Sequence, residues 1–389
     1  MTVVFIILII IAIYPYVLYP LLGCCIVGIK KIFVKTKVIA NDELPDVTLL
    51  ITAYNEEHAV EEKIKNIFEL EYPNQKLKIC WVTDGSTDRT PEIVAQYPQF
   101  QLLHENERRG KVHAMQRAIL EVKSPIIVFC DANTYLNSKS IQYIANSFND
   151  CKVGAVAGEK QVFYGTYDKA ATAGEGIYWK YESTLKKIDS AIYTVVGAAG
   201  ELFAIRKDLF ESVPDDTILD DFLITLKIAS KGYKIKYEPK AIASEYGSAN
   251  VKEEMKRKIR IAAGCFQVMA RNPWLFNIFK HPLLTFQFIS HKFMRWVTTP
   301  LLLLILLPFN IILACFYPST LSISILVLQL IFYSFAILGY IIQEKNIQFK
   351  ILFIPYYFFM ANIAQFQGFF RFVKGKSTVK WERAERVKK

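Results

Sequence analysis

At 389 residues and 44.7 kDa the chain has room for about two or three compact units. With 52% hydrophobic and only 21% charged residues, and with 28 Phe and 21 Tyr, it is neither a disordered chain nor a disulfide-stapled mini-protein. The net charge of +11 gathers beside apolar segments rather than along one basic helix, which argues for a bilayer surface and against a nucleic-acid partner.

Residues 1–29 carry no charged side chain. They have neither a basic leader nor a small-residue cleavage pattern, so the segment reads as an uncleaved N-terminal transmembrane anchor. Lys30, Lys31, Lys35 and Lys37 follow it, and Lys280, Lys292 and Arg295 precede the next apolar window; the positive-inside rule then places residues 30–295 in the cytoplasm.

From 46 to 160, short β-branched runs alternate with helical stretches. Strand runs at 47–52, 79–83, 100–104 and 126–130 are interleaved with helical patterns at 57–70, 91–96 and 111–122. This predicts a parallel, doubly wound α/β sheet in a cytoplasmic domain spanning 38–250. Residues 251–295 mix basic and aromatic side chains and read as amphipathic interfacial helices or as helices packed on that domain. Residues 296–343 are again uncharged and, at ~1.5 Å per residue, long enough for two transmembrane helices, with Tyr317-Pro318-Ser319-Thr320 as the turn. The stretch 349–372 contains Pro355, Asn362, Gln365 and Gln367 and is expected to be an interfacial helix rather than a third span, because a third span would export the basic tail at 373–389. The seven cysteines include adjacent Cys24 and Cys25 and no Cys-x-x-Cys pair, so neither a disulfide framework nor a zinc site is implied.

In doubly wound sheets, ligands bind beyond the carboxyl ends of the strands. After the first strand stand Ala53-Tyr54-Asn55-Glu56-Glu57, after the second Asp84-Gly85-Ser86-Thr87-Asp88, and after the fourth Asp131-Ala132-Asn133. Singly, each cluster is an ordinary turn. Three together on one edge, two of them beginning with an acid directly after a buried strand, point to a nucleotide site. No Gly-x-Gly-x-x-Gly or P-loop is present, so a diphosphate would be held through Mg²⁺ or Mn²⁺, with Asp131 as its natural ligand.

These clusters, with Gly110-Lys111, Gly197-Ala198-Ala199-Gly200, Leu219-Asp220-Asp221 and Arg257-Lys258-Ile259-Arg260, resemble in order and spacing the membrane-bound family 2 glycosyltransferases. That family includes the cellulose, chitin and hyaluronan synthases. The resemblance covers roughly residues 45–265 and implies a GT-A (Rossmann-like) nucleotide-sugar-binding domain with transmembrane and interfacial helices. It implies an inverting hexosyl- or N-acetylhexosaminyltransferase that uses a nucleotide-diphosphate-sugar, most often a UDP-sugar, in cell-surface polysaccharide synthesis. Tyr54, Glu56, Asp84 and Lys111 would surround the nucleotide, with Asp84 at uracil or ribose, and Asp131 and Asn133 would face the metal. Asp221 would be the catalytic base, Arg257 and Arg260 would face the diphosphate, and Gly197, Gly200 and Asp220 would border the acceptor. Asn133 replaces the family's second acid, Arg257 its Gln, and Ile261 the Trp that stacks on acceptor sugar in the processive synthases.

The implied partners are a nucleotide-sugar donor, a glycan or lipid-linked glycan acceptor, the bilayer and a possible export partner. The rivals are a polyprenyl-phosphate glycosyltransferase, a sugar-phosphate nucleotidylyltransferase and a nucleotide-sugar-binding membrane protein without catalysis.

Overall fold

Pro15 and Pro20 do not break the N-terminal apolar run. In the computed structural model, which describes residues 1–33, 43–163, 169–248, 250–343 and 350–375, α1 (Thr2–Ile13) continues into α2 (Tyr19–Phe33) through a π-helical turn at Tyr14–Leu18. The wider turn takes in Pro15, whose missing N–H would interrupt regular α-helical bonding. Lys35, Lys37 and the tail from 376 onward lie outside the described residues.

The β-branched runs form strands where expected. β1 (Val47–Ala53), α3 (Glu57–Phe68), β2 (Leu77–Asp84), α4 (Thr90–Ala95), β3 (Gln101–Glu105), α5 (Lys111–Glu121) and β4 (Ile126–Asp131) make a parallel half-sheet in the order β3-β2-β1-β4. Thr52 stands opposite Asp131, and Ala53 opposite Thr83, so the polar clusters leave the sheet at one level.

The remaining strands correct the all-parallel expectation. β5 (Tyr135–Leu136), α6 (Ser140–Ser147), β6 (Val153–Phe163), α7 (Lys169–Ile192), β7 (Leu202–Arg206), α8 (Asp220–Ser230) and β8 (Lys234–Tyr246) extend the sheet as β7-β6-β8-β5. β7 is antiparallel to both β4 and β6, β6 is parallel to β8, and β5 is antiparallel to β8. An apolar run such as Leu202-Phe203-Ala204-Ile205 signals burial on both faces but not strand direction, which the connections decide. One face of the sheet packs on α5 and α8 through Val112, Ala118, Phe222 and Leu226; the other packs on α3, α4 and α6 through Val60, Ile93 and Ile141.

After the sheet come α9 (Val251–Arg271), α10 (Pro282–Gln287), α11 (Thr299–Phe316), α12 (Thr320–Gln343) and α13 (Lys350–Val373). The boundary expected near 295 is absent: a π-helical stretch at Phe288–Thr298 carries α10 into α11, and the helix runs unbroken from Pro282 to Phe316. Thr2–Phe33, Pro282–Phe316 and Thr320–Ile342 are long and apolar enough to cross a membrane. The turn between the last two falls at the expected Tyr317–Thr320 position, where Ser319 and Ser322 exchange hydrogen bonds.

α9 is not a free surface helix. Cys265 and Val268 enter the domain core, and Gly264 packs on Ile218 and Leu219. Its other side meets α13 through the Phe266–Phe369 ring pair, 5.2 Å apart, and through Gly368, whose missing Cβ would stand 2.4 Å from that of Ala262. The N-terminal helix docks on the end of α7. Gly23 lets Ile188 approach, and Lys30 donates to the carbonyls of Ala191 and Ile192 at 2.8 and 3.0 Å, closing that helix's C-terminus.

Candidate active site

The loops after β1 and β2 are tied to each other before any ligand arrives. Asn55 takes a positive φ of 52°, a conformation Asn tolerates better than most residues, and its Oδ1 accepts from the Thr87 amide at 2.8 Å. Asp88 accepts from the Glu57 and Thr90 amides, both at 3.0 Å, while the Glu56 amide donates to Thr90 Oγ1 at 2.8 Å. These bonds from Thr90 and Glu57 hold the Asp88 carboxyl below its ordinary range, although burial pushes the other way.

Asp84 organises the next loop. Its Oδ1 accepts from the Arg109 amide at 2.9 Å and its Oδ2 from the Gly110 amide at 2.7 Å. Gly110, at φ 107°, turns the chain so that Lys111 opens α5. The expected contact of Asp84 with uracil or ribose therefore draws on lone pairs left over from a structural task. Tyr54, Asp84 and Lys111 border one narrow slot, and there the Arg108 guanidinium covers the Tyr54 ring, 3.8 Å from its centre. Arg108 was not among the expected residues, and its place beside Gly110-Lys111 was the only signal.

A larger cavity, of about 300 Å³, holds Asp131, Gly197, Gly200, Asp220, Asp221, Arg257 and Arg260 and shares Lys111 with the slot, whereas the expected Glu56 and Asn133 line neither. Lys111 and Asp131 enter it from the ends of the α5 and β4 segments, Gly197, Gly200, Asp220 and Asp221 from the β7 and α8 region, and Arg257 and Arg260 from α9. Lys111 Nζ lies 2.7 Å from Asp131 Oδ1. Burial pushes the Asp131 carboxyl up against the opposing pull of Lys111, and the lysine is raised by Asp131, Asp220 and Asp221 despite its own burial. Gly197, at φ 78°, lies under the Phe222 ring. A Cβ at Gly200 would stand 3.4 Å from Asp221 Oδ2 and 3.6 Å from Lys111 Nζ, so this glycine borders both side chains.

Asp221 sits at the start of α8, and its carboxyl is pushed up to about 7, first by burial and then by Asp220, against the pull of Lys111. Asp220 is 7% exposed, and its Oδ2 has no hydrogen-bond partner among the described residues. Arg257 donates to Glu254 at 3.0 Å, whereas Arg260 makes no ion pair among the described residues and lies in the field of Asp220, Asp221 and Asp131. The arrangement is a buried carboxyl of near-neutral pKa sharing its cavity with cationic side chains.

Asp131, a carboxylate on the cavity paired with Lys111, and Asn133, whose buried amide Oδ1 has no hydrogen-bond partner among the described residues, are oxygen donors of the kind a hard cation takes. No group of three or more His, Cys, Asp or Glu residues that could hold a metal occurs among the described residues, so nucleotide oxygens would have to complete the shell.

Other lining residues escaped the sequence reading because they come from distant parts of the chain. Glu201, beside Gly200, is paired with Lys160, itself also paired with Glu245. Glu182 binds Lys292 and, at 2.8 Å, Arg295. Ile261, which replaces the expected Trp, shares the cavity with Trp179 and Trp296, so indole surface reaches the site from α7 and the π-helical stretch.

Residues 48–213 match the family described as glycosyl transferase family 2, and the whole arrangement is that of a GT-A-like domain with long apolar helices. Over those residues the chain is similar to the family 2 glycosyltransferases. It is 27% identical over 242 residues to the poly-beta-1,6-N-acetyl-D-glucosamine synthase of Staphylococcus aureus strain COL, matching 59% of this chain and 57% of that protein. The enzyme of the same name from Staphylococcus epidermidis is 25% identical over 244 residues, covering 60% of this chain and 58% of that protein. The chain thus matches just over half the length of these relatives. In fold it is similar to a mannosyltransferase from Pyrobaculum calidifontis, solved with GDP-mannose and Mn²⁺, with a TM-score of 0.67 and 23% identity over 94% of this chain and 98% of that one.

Proposed function

We propose that this chain transfers N-acetylglucosamine from UDP-N-acetylglucosamine to a growing glycan, with inversion, on the cytoplasmic side of the cell membrane, where it is anchored as a multi-pass protein. The name of the two Staphylococcus relatives supports the sugar, the resemblance of the motifs supports a UDP donor, and the basic residues flanking the first two apolar helices support the side. The observation that carries the chemistry is Asp221, a buried carboxyl of pKa about 7 sharing one cavity with Lys111, Asp131 and Arg260.

In this reading Tyr54, Glu56, Asp84 and Arg108 border the nucleoside, and Lys111 and Arg260 balance the departing diphosphate. Asp131 and Asn133 would hold Mg²⁺ or Mn²⁺, which supplies further charge neutralisation on the leaving group. Asp221 takes the proton of the acceptor hydroxyl as its oxygen attacks the anomeric carbon from the side opposite the leaving group. Gly200 leaves room for both partners to meet. Release of UDP by the purified protein, measured across a panel of nucleotide-sugars with Mn²⁺ or Mg²⁺, tests this. UDP release with UDP-N-acetylglucosamine that depends on an added glycan supports it; a lipid-phosphate-linked sugar formed without any glycan would instead establish the polyprenyl-phosphate rival.

A further inference from the structure

The cavity that contains Asp221 continues past the GT-A fold to a wall made by α7, the π-helical stretch before α11, and α13. On that wall three polar atoms have no hydrogen-bond partner among the described residues: Lys186 Nζ, Asn362 Oδ1 and Gln365 Oε1. Lys186 is only 4% exposed and Asn362 only 6%. Lys186 has the rings of Trp179 and Tyr237 at 5.4 and 5.7 Å, and the carboxylate nearest in sequence, Glu182, is already bound to Lys292 and Arg295. Asn362 Nδ2 donates to the Phe358 carbonyl at 2.8 Å, which fixes the amide and leaves its oxygen without a donor. Gln365 follows one turn later on the same helix face.

Buried polar groups left unmade are unfavourable, so a ligand that completes all three gains from each. Two of the three are acceptors and the third is a donor. A phosphate offers acceptor oxygens to Lys186 but nothing to the two amide oxygens. Sugar hydroxyls both donate and accept and can satisfy all three. We propose that Lys186, Asn362 and Gln365 form the subsite that holds a neutral sugar ring of the acceptor, delivering its hydroxyl toward Asp221. The proposal rests on the transfer reading above and assigns the acceptor wall of that same site to α7 and α13.

Calorimetric titration of a neutral N-acetylglucosamine tetrasaccharide into the full-length protein in detergent reads this subsite with or without turnover. The wild type binds saturably, and Asn362→Leu, Gln365→Leu and Lys186→Met each weaken binding by ~10-fold or more while UDP affinity holds. Because leucine replaces an oxygen that has no donor, the thermal midpoint of Gln365→Leu holds or rises. If that variant does not fold, Gln365→Met takes its place. A lowered midpoint with unchanged tetrasaccharide binding marks a structural role and overturns the proposal. So does a wild type that binds no neutral gluco-, manno- or N-acetylgluco-oligosaccharide, or variants that lose polyprenyl phosphate rather than oligosaccharide. UDP release separates the two readings. Release by the wild type with normal oligosaccharide binding in the variants ends the subsite and leaves transfer standing; no release from any donor, with the binding losses intact, ends the transfer reading and leaves the subsite.

Discussion

Asp221 can take a proton only when ionised, and burial beside Asp220 places its pKa about 7, so the rate should report that ionisation directly. With the carboxyl raised, the base is protonated below pH 7 and free above it. The kcat/KM of the wild type is therefore expected to climb with pH to a plateau above about 7. Asp221→Asn should remove that limb and lower the rate by ~10²–10⁴ while UDP still binds. A flat profile in the wild type, or a lost UDP affinity in Asp221→Asn, contradicts the assignment. In the proposed transfer Asp84 acts on the other partner. Asp84→Ala strands the Arg109 and Gly110 amides, destabilising the loop by about 1–3 kcal/mol, and it displaces Arg108 and Lys111 from the slot they share with Tyr54. It should lower both the thermal midpoint and the UDP affinity, measured on the same preparation; a mutant with wild-type values of both would show that the loop holds itself.

The glycines of the segment entering β7 do the equivalent work for a whole element. Gly197 at φ 78° lies with its missing Cβ 2.0 Å from the Phe222 ring of α8, so Gly197→Ala must both strain the backbone and push away the helix that carries Asp221. The expected result is a destabilisation of ~1–3 kcal/mol with a drop in turnover, read from thermal melts and UDP release; a lowered midpoint with unchanged turnover would show that the Gly197 turn serves stability alone. How much of this was readable from sequence differs by element. β1 to β4 and their helices could be placed because β-branched runs end in turn residues, and the polar clusters after Ala53, Asp84 and Asp131 follow from the strand ends. The direction of β7, and with it the mixed sheet, could not, because a doubly buried strand has the same pattern either way. The acceptor wall was hidden for a different reason. Lys186, Asn362 and Gln365 are separated in sequence and meet only through packing, and the polar residues of 349–372 were informative about membrane depth but silent about what they face.

The course of α13 through the molecule bears on where the C-terminus emerges. α9 carries Lys252, Glu253, Glu254, Lys256, Arg257, Lys258 and Arg260 in its first turns, charges that would be expensive in hydrocarbon. α13 runs beside this helix in the same sense: Phe353, Tyr357 and Met360 pack on Val251, Tyr357 donates to Glu254 at 3.1 Å, and farther along Phe369 meets Phe266. Its first half also pairs with the end of α12, through Tyr340 with Tyr356 and Tyr333 with Phe359. A helix held against charged residues along one stretch and against a domain-packed helix along the next is expected to share their depth rather than to cross the bilayer. Between the α/β domain and the tail the chain is then expected to cross twice, at Pro282–Phe316 and Thr320–Ile342, the two helices there that are long and apolar enough. Two crossings would return the basic sequence of the tail to the side of the α/β domain, in keeping with the positive-inside rule. A reporter active only in the cytoplasm, fused at the C-terminus of the full chain, is therefore expected to signal, and one active only outside to stay silent; the reverse pattern would make α13 a third span after the domain and would detach it from α9.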